Sequence, residues 1–117
     1  SSSYKFKNLH LAGSALVGVA STVTSSATFN SDETIIPVNT SSGAVTITID
    51  SDQKIAGRII IFKKVVTTNE LTIATEGSEQ IQGYGIGLAN TYTTSYGSYQ
   101  TVHLFCDGSN WYTLNYK

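Results

Sequence analysis

The chain has 117 residues, which is enough for one domain with a single core but small enough that association of copies would add to its stability. Charged residues make up 13% of it, the net charge is −1, and Lys and Arg form no cluster, so nothing in the sequence favours binding to nucleic acid or an anionic membrane. Ser and Thr account for about a quarter of the chain, a composition that favours a β-rich secreted or virion-surface protein over a cytosolic enzyme.

Residues 1–30 differ in character from the rest, being small, apolar and rich in Ser and Thr. The apolar stretch 9–20 is too short to span a bilayer, and Gly13 and Gly18 interrupt it. We therefore predict a connecting or packing segment over residues 1–30, rather than a signal peptide, and a β-structured domain over residues 31–117.

Three strands are predicted next. Residues 34–38 form the first, and Pro37 places it at a sheet edge because proline has no N–H for the ladder. Residues 45–49 alternate between Val or Ile and Thr, as in a half-buried strand. Residues 58–62 are so uniformly apolar that we predict a central strand with both faces covered.

Residues 71–74 and 80–82 are further strand candidates, separated by turn residues. Glycines at 83, 85 and 87 then interrupt the regular pattern, and residues 88–98 read as a loop rich in Tyr and Thr.

The chain ends in a predicted hairpin, with strands at 100–106 and 111–116 joined by the turn residues 107–110. Cys106 cannot form an internal disulfide because it is the single cysteine, and its position in the alternation predicts a packed, unreactive thiol. Trp111 is expected to pack across the hairpin.

Strands at intervals of about ten residues, with turn residues between them and no helical period, predict an all-β domain. We expect an antiparallel β-sandwich of the jelly-roll kind, formed as a single domain.

Imidazole and thiol groups are few. His10 and His103 are the two histidines, and neither lies in the pattern of a serine or cysteine nucleophile. His103 and Cys106 have zinc-like spacing, but a structural zinc site needs four ligands, and residues three apart on a strand face opposite sides. We expect no metal or other cofactor within one chain; a ring of histidines around a three-fold axis stays open.

Carboxylates occur in pairs beside predicted turns: Asp50 with Asp52, and Glu76 with Glu79. Catalytic pairs need a cleft that raises one pKa, so we interpret these four as solvated turn residues, although calcium at Asp50 and Asp52 remains an alternative. With no nucleophile, acid/base pair or metal cluster recognised, the sequence does not predict an enzyme.

Two other motifs carry little information. The glycines at 83, 85 and 87 lack the following helix that a phosphate-binding loop requires. Asn39-Thr40-Ser41 fits the N-glycosylation pattern, which has consequences only in a secretory pathway.

Tyrosines gather near the predicted loop. They offer rigid, amphipathic contact area at low entropic cost and are our candidate receptor-binding residues. The alternative is that these rings pack one end of the sandwich. The candidates are Tyr84, Tyr92, Tyr96 and Tyr99.

The order and spacing of four blocks, residues 32–49, 56–63, 77–83 and 107–112, resemble the C-terminal head domains of viral and phage fibre or spike proteins. The blocks include Asp32-Glu33-Thr34-Ile35-Ile36-Pro37-Val38 and Asp107-Gly108-Ser109-Asn110-Trp111-Tyr112, and the match runs over most of the chain.

The resemblance implies a homotrimeric β-sandwich or jelly-roll knob on the virion surface, at the tip of a fibre, that attaches to a host-cell receptor or glycan. This chain departs from the family pattern at Asp50, where a proline is common, and in the expanded stretch 88–98. Because such heads bind different receptors through variable loops, no contact residue transfers.

Trimerisation is also expected from the size of the domain, because cyclic association covers edges and apolar faces that a small domain leaves open. The candidate trimer contacts are the apolar residues of the first segment: Leu9, Leu11, Leu16, Val17 and Val19. Nucleic acid and membrane insertion are not expected. The alternatives are a carbohydrate-binding module of a secreted enzyme and a purely structural capsid or tail component.

Overall fold

In the computed structural model, residues 12–13, 15–83, 87–94 and 100–114 are described, and they form two β-sheets around one core. An all-β single domain is therefore confirmed. One turn of 3-10 helix lies at Ser51–Gln53. Among the described residues, no helix has the length and apolar character to cross a membrane. The strands are β1 Ala27–Phe29, β2 Ile35–Val38, β3 Val45–Ile49, β4 Ile59–Lys64, β5 Leu71–Thr75, β6 Ile81–Gly83, β7 Gly87–Ala89, β8 Thr91–Thr93, β9 Thr101–Cys106 and β10 Trp111–Thr113.

The first six strands alternate between the sheets, so that the chain follows a coil. Of these six, β1, β3 and β5 lie in a four-stranded sheet of order β1-β3-β5-β8, and β2, β4 and β6 lie in a six-stranded sheet of order β2-β4-β9-β10-β6-β7. Successive turns stack in parallel, β1 on β3, β3 on β5 and β2 on β4. Val19 and Val23 bridge to β2 in parallel as well, which adds part of a preceding turn.

The sheets are thus mixed, whereas the sequence predicted antiparallel ones. Besides the parallel pairs just named, β10 and β6 are parallel. The antiparallel pairs are β10–β9, β4–β9, β5–β8 and β6–β7. Period-two patterning marks a strand but says nothing of its direction. From β1 to β6 each connection carries the chain across to the opposite sheet, and that passage provides the long crossover that parallel pairing needs.

The C-terminal hairpin is confirmed, with Trp111 opposite Cys106. The Asp107 carboxylate accepts hydrogen bonds from the backbone N–H groups of Ser109 and Asn110, each at 2.8 Å. Gly108 has φ 100°, a left-handed conformation that costs glycine little. The second strand ends at Thr113, earlier than the predicted 116, and residues 115–117 lie outside the described part.

The core forms between the sheets from the inward positions of each strand. Val45, Ile47 and Ile49 are buried while Thr46 is exposed, as the alternation predicted. Phe29 and Phe62 meet edge to face across the core, with ring centroids 6.1 Å apart. Burial of these side chains is the main source of folding free energy.

Other predictions need refinement. Residues 19–29, assigned from sequence to the connecting segment, contribute β1 and the two bridges, and Phe29 belongs to the core. The predicted loop 88–98 contains most of β7 and all of β8. These strands have three residues each, too few for a repeating pattern to be visible in the sequence. Pro37 does lie on the edge strand β2.

Candidate functional site

Tyr92 is the one candidate receptor-binding tyrosine within the described residues, and it faces inward. It pairs with Ile73 in the four-stranded sheet and packs, partly buried, against the core. The structure therefore supports the packing interpretation for this ring. Tyr84, Tyr96 and Tyr99 lie outside the described residues, and their role in receptor binding stays a prediction.

The described candidates for trimer contacts are strongly exposed. Leu16 is 96% exposed, Val17 54% and Val19 59%. Leu16 is almost wholly exposed to water on a segment alongside β2. Burial of such apolar side chains between copies of the chain would stabilise an oligomer. Leu9 and Leu11 lie outside the described residues.

The outer face of the four-stranded sheet is lined by threonines, and we call it the threonine face. Cross-strand register places Thr28 beside Thr48, Thr46 beside Thr72, and Thr72 beside Thr93. The hydroxyl oxygens of Thr72 and Thr93 are 2.9 Å apart. The face consists of small side chains, is polar and has no formal charge at its described positions. These are Thr28, Thr46, Thr48, Thr72, Ala74, Thr91 and Thr93.

The outer face of the six-stranded sheet has the opposite chemistry, and we call it the apolar face. Phe105 and Tyr112 stack on each other there, with centroids 5.3 Å apart and an interplanar angle of 24°. Because each ring covers a face of the other, the pair does not form the flat aromatic platform on which sugars stack. The apolar members of this face are Ile35, Ile59, Ile61, Phe105, Tyr112, Leu114 and Leu88.

Arg58 ties together the corner at which the chain enters β4. Its Nε donates to Gln53 Oε1 at 2.8 Å, and its Nη2 donates to the backbone carbonyls of Ser31 at 3.0 Å and Glu33 at 2.8 Å. Burial lowers the pKa of the guanidinium, and the carboxylates of Asp32 and Glu33 oppose that effect. The role is structural, since the donors are spent on carbonyl and amide oxygens of adjoining turns.

Lys64 closes the opposite end of β4 and is fully buried. Its Nζ donates to the backbone carbonyls of Asn69 and, at 3.4 Å, of Thr67. The Asn69 side-chain amide donates in turn to the carbonyl of Thr40 at 2.9 Å. The buried cation fixes the conformation of the connection 65–70, and the Asn69 amide joins that connection to the preceding one.

Glu79 was expected to be a solvated turn residue, and this is wrong, because it is 3% exposed. Its Oε2 accepts a hydrogen bond from Ser51 Oγ at 2.8 Å. Burial raises the pKa of this carboxyl, but the hydrogen bonds from its own N–H, from Ser51 and from the Gly77 N–H outweigh burial and lower it. The turn is tight enough that a Cβ at Gly77 would lie 2.6 Å from Glu79 Oε1.

The other polar candidates serve the fold. Asp50 caps the 3-10 turn, with its Oδ1 accepting from the Asp52 N–H at 2.8 Å. Burial raises the pKa of the Cys106 thiol, and its Sγ accepts from the Gly108 N–H at 3.3 Å. No group of three or more His, Cys, Asp or Glu side chains that could hold a metal ion occurs among the described residues. His10 lies outside them.

Trp111 supports the core, as expected, and is fully buried at the hairpin. Its indole Nε1 is buried without a hydrogen-bond partner among the described residues. A buried indole N–H usually finds an acceptor, so this position carries a modest cost to stability.

Comparison with known protein families, with curated proteins and with solved structures finds no match to this chain. The class that the fold defines is a small all-β domain of two mixed sheets. The similarity to fibre and spike heads rests on the sequence blocks and stays a prediction.

Proposed function

We propose that this chain is a non-catalytic attachment domain at the tip of a viral or phage fibre or spike, acting on the virion surface as a homotrimer that binds a host-cell receptor or glycan. The observation that carries the proposal is the path of the chain. Parallel turns stack from Val19 through β5 and then give way to short antiparallel strands, β7 and β8, at the far edge of each sheet.

That path suits the end of an elongated β-structured body. Coiled β-structures grow by stacking one turn on the next, and a terminal turn with a different pattern stops the growth. On the near side, nothing in the described part of the chain pairs with the outer edge of β1, so a further turn or a shaft could continue from there.

The chemistry of the described surface fits binding rather than turnover. The half-buried Arg58 and the buried Lys64 and Glu79 are occupied in holding turns together. The stacked Phe105 and Tyr112 rings do not present a sugar-binding platform, which weighs against a carbohydrate-binding module that works as a monomer. Three weak sites on one tip would multiply a modest affinity into firm attachment.

The proposal is tested by coating fluorescent beads with the folded protein, so that attachment does not depend on oligomeric state, and applying them to a glycan array and to a panel of bacterial, archaeal and eukaryotic cells. We expect binding to a subset of cells or glycans above that of uncoated beads. Uniform absence of binding would overturn the attachment role and leave a purely structural component of a virion.

The same assay locates the binding residues. Tyr96→Ala tests the predicted loop and Tyr99→Ala the position just after it, and a loss of bead binding with unchanged circular dichroism would assign them to the receptor site. Tyr92→Ala is a poor probe of attachment because Tyr92 packs against the core. Thr28→Ala, on the exposed threonine face, is the matched control and should leave binding unchanged.

A further inference from the structure

The outer side of strand β4 is less buried than its sequence predicts. Its sequence is apolar on successive residues, a pattern typical of strands covered on both faces. The inner positions Ile60 and Phe62 are 0% exposed, as expected. The outer positions are not covered to that degree, since Ile59 is 40% exposed and Ile61 is half-buried. A single chain therefore buries the inner side of β4 and leaves its outer side partly exposed to water.

The uncovered side continues across the whole six-stranded sheet. One cross-strand row runs from Val19 through Ile35 and Ile61 to His103, whose carbonyl accepts from the N–H of Leu114. A second row runs from Ile59 through Phe105, Tyr112 and Gln82 to Leu88. The apolar face is thus continuous with the exposed N-terminal segment, where Leu16 is 96% exposed.

The near absence of formal charge on this face indicates what kind of partner it binds. At the described outward positions of the six-stranded sheet, formal charge is confined to Lys63, at the margin beside Pro37 and Thr101. Nucleic acid or anionic lipid would require a basic surface, whereas a surface that meets copies of itself must lack like charges at its centre.

The size of the face is that of a small interface. The six strands of the sheet contain 25 residues, which at about 3.3 Å per residue and about 4.8 Å between strands give a sheet surface of roughly 400 Å². The relief of the side chains and the exposed N-terminal segment enlarge this area, which is below the roughly 800 Å² per partner of a standard interface.

We propose that the apolar face is the surface through which copies of this chain associate, with the face of each copy turned toward the shared axis and the threonine face turned outward. This inference deepens the proposed function and rests on it, since it names the surface by which the tip would trimerise. It moves the centre of the interface from the N-terminal segment alone to the outer side of β4, β9 and β10.

Sedimentation velocity across a range of protein concentrations tests the inference. The double variant Ile59→Glu/Leu114→Glu places carboxylates at positions that are 40% and 48% exposed in one chain, so the fold should accept them. The matched control Thr46→Glu/Thr93→Glu places the same charges on exposed positions of the threonine face. We expect the wild type and the control to form the same oligomer, and the dissociation constant of the double variant to rise by about 100-fold or more.

Three results would overturn the inference: a monomeric wild type at tens of micromolar, an unchanged oligomer in the double variant, or dissociation of the threonine-face control. None of them decides the attachment role, which the bead assay measures independently. If the double variant does not fold, hydroxyl-radical footprinting of the wild type replaces it. Ile59 and Leu114 should become protected as concentration rises, while Ile55, 60% exposed and off the face, should not; equal labelling of all three at every concentration also contradicts the inference.

Discussion

The outer faces of the two sheets differ in chemistry although the same coiled chain builds both. Passing from β3 to β4, the outward positions change from Thr46 and Thr48 to Ile59 and Ile61. Threonine hydroxyls exchange hydrogen bonds with water, so the threonine face is complete in a single chain. The isoleucine side chains form no hydrogen bonds with water, so the apolar face is stabilised when another surface covers it. Equal secondary structure thus conceals unequal requirements for burial.

The corners between the sheets show a related contrast. Arg58, at the entry to β4, is half-buried, while Lys64, at its exit, is fully buried. Arg58 donates to backbone carbonyls of the connection before β2, whereas Lys64 donates to those of the connection that directly follows it. One cation therefore joins successive turns and the other fixes a single connection, where the backbone carbonyls would otherwise lack donors.

The largest effect is expected in the interior that both sheets share. Phe62→Ala should lower the free energy of unfolding by about 3–5 kcal/mol, because it removes a fully buried ring that meets Phe29. Thr48→Ala, on the threonine face, is the control and should change it by less than about 1 kcal/mol. Urea denaturation at neutral pH measures both, and equal losses would contradict the division between a packed interior and a solvated outer face.

A corner substitution should have the next largest effect. Arg58→Lys keeps the charge but cannot reach Gln53 Oε1 and the Ser31 and Glu33 carbonyls at once, so we expect a loss of about 1–3 kcal/mol in urea denaturation. The reverse exchange at exposed Lys54, Lys54→Arg, is the control. If both variants matched the wild type, the hydrogen bonds of Arg58 would not hold the corner together as described.

The polar turn beside β6 should make stability depend on acid. Since the pKa of Glu79 is lowered in the folded state, its contribution is present above the unfolded pKa of about 4.3 and is lost as pH falls through the lower folded pKa. Glu79→Gln should cost about 1 kcal/mol at pH 7 and reduce the difference in stability between pH 7 and pH 3.

Part of that acid dependence should persist in Glu79→Gln, because hydrogen bonds also lower the pKa of Glu33 and Asp107. Glu70→Gln, at an exposed position, is the matched control. Denaturation curves at the two pH values provide the measurement, and an acid dependence identical in wild type and Glu79→Gln would refute the role of this carboxylate.

The smallest effect is expected on the threonine face. Thr72→Val removes the hydroxyl contact with Thr93 but keeps the β-branched shape, so stability should change by no more than about 0.5 kcal/mol. The sedimentation coefficient should also be unchanged. A large loss here would show that the threonine face, and not the apolar one, needs a specific partner.

The sequence predicted much of the local structure. The alternation at residues 45–49, Pro37 at an edge, and the turn at Asp107 and Gly108 all reflect local rules of side-chain direction, missing N–H groups and backbone angle. Such rules act within a few residues and can be read without a partner. The packed positions of Trp111 and Cys106 followed in the same way.

Three features depended on contacts between residues distant in sequence: the direction of the strands, the burial of individual polar groups, and the candidate interface. Ser51 and Glu79 are 28 residues apart, so nothing local to Glu79 signals its burial. Tyr92 looked like a loop residue until its pairing with Ile73 turned it inward. The apolar composition of β4 was visible in the sequence, but the sheet register alone showed that its outer residues join those of β9 and β10 in one face. Hydrophobic patterning sets which side chains need burial, and tertiary packing decides which of them a single chain can bury.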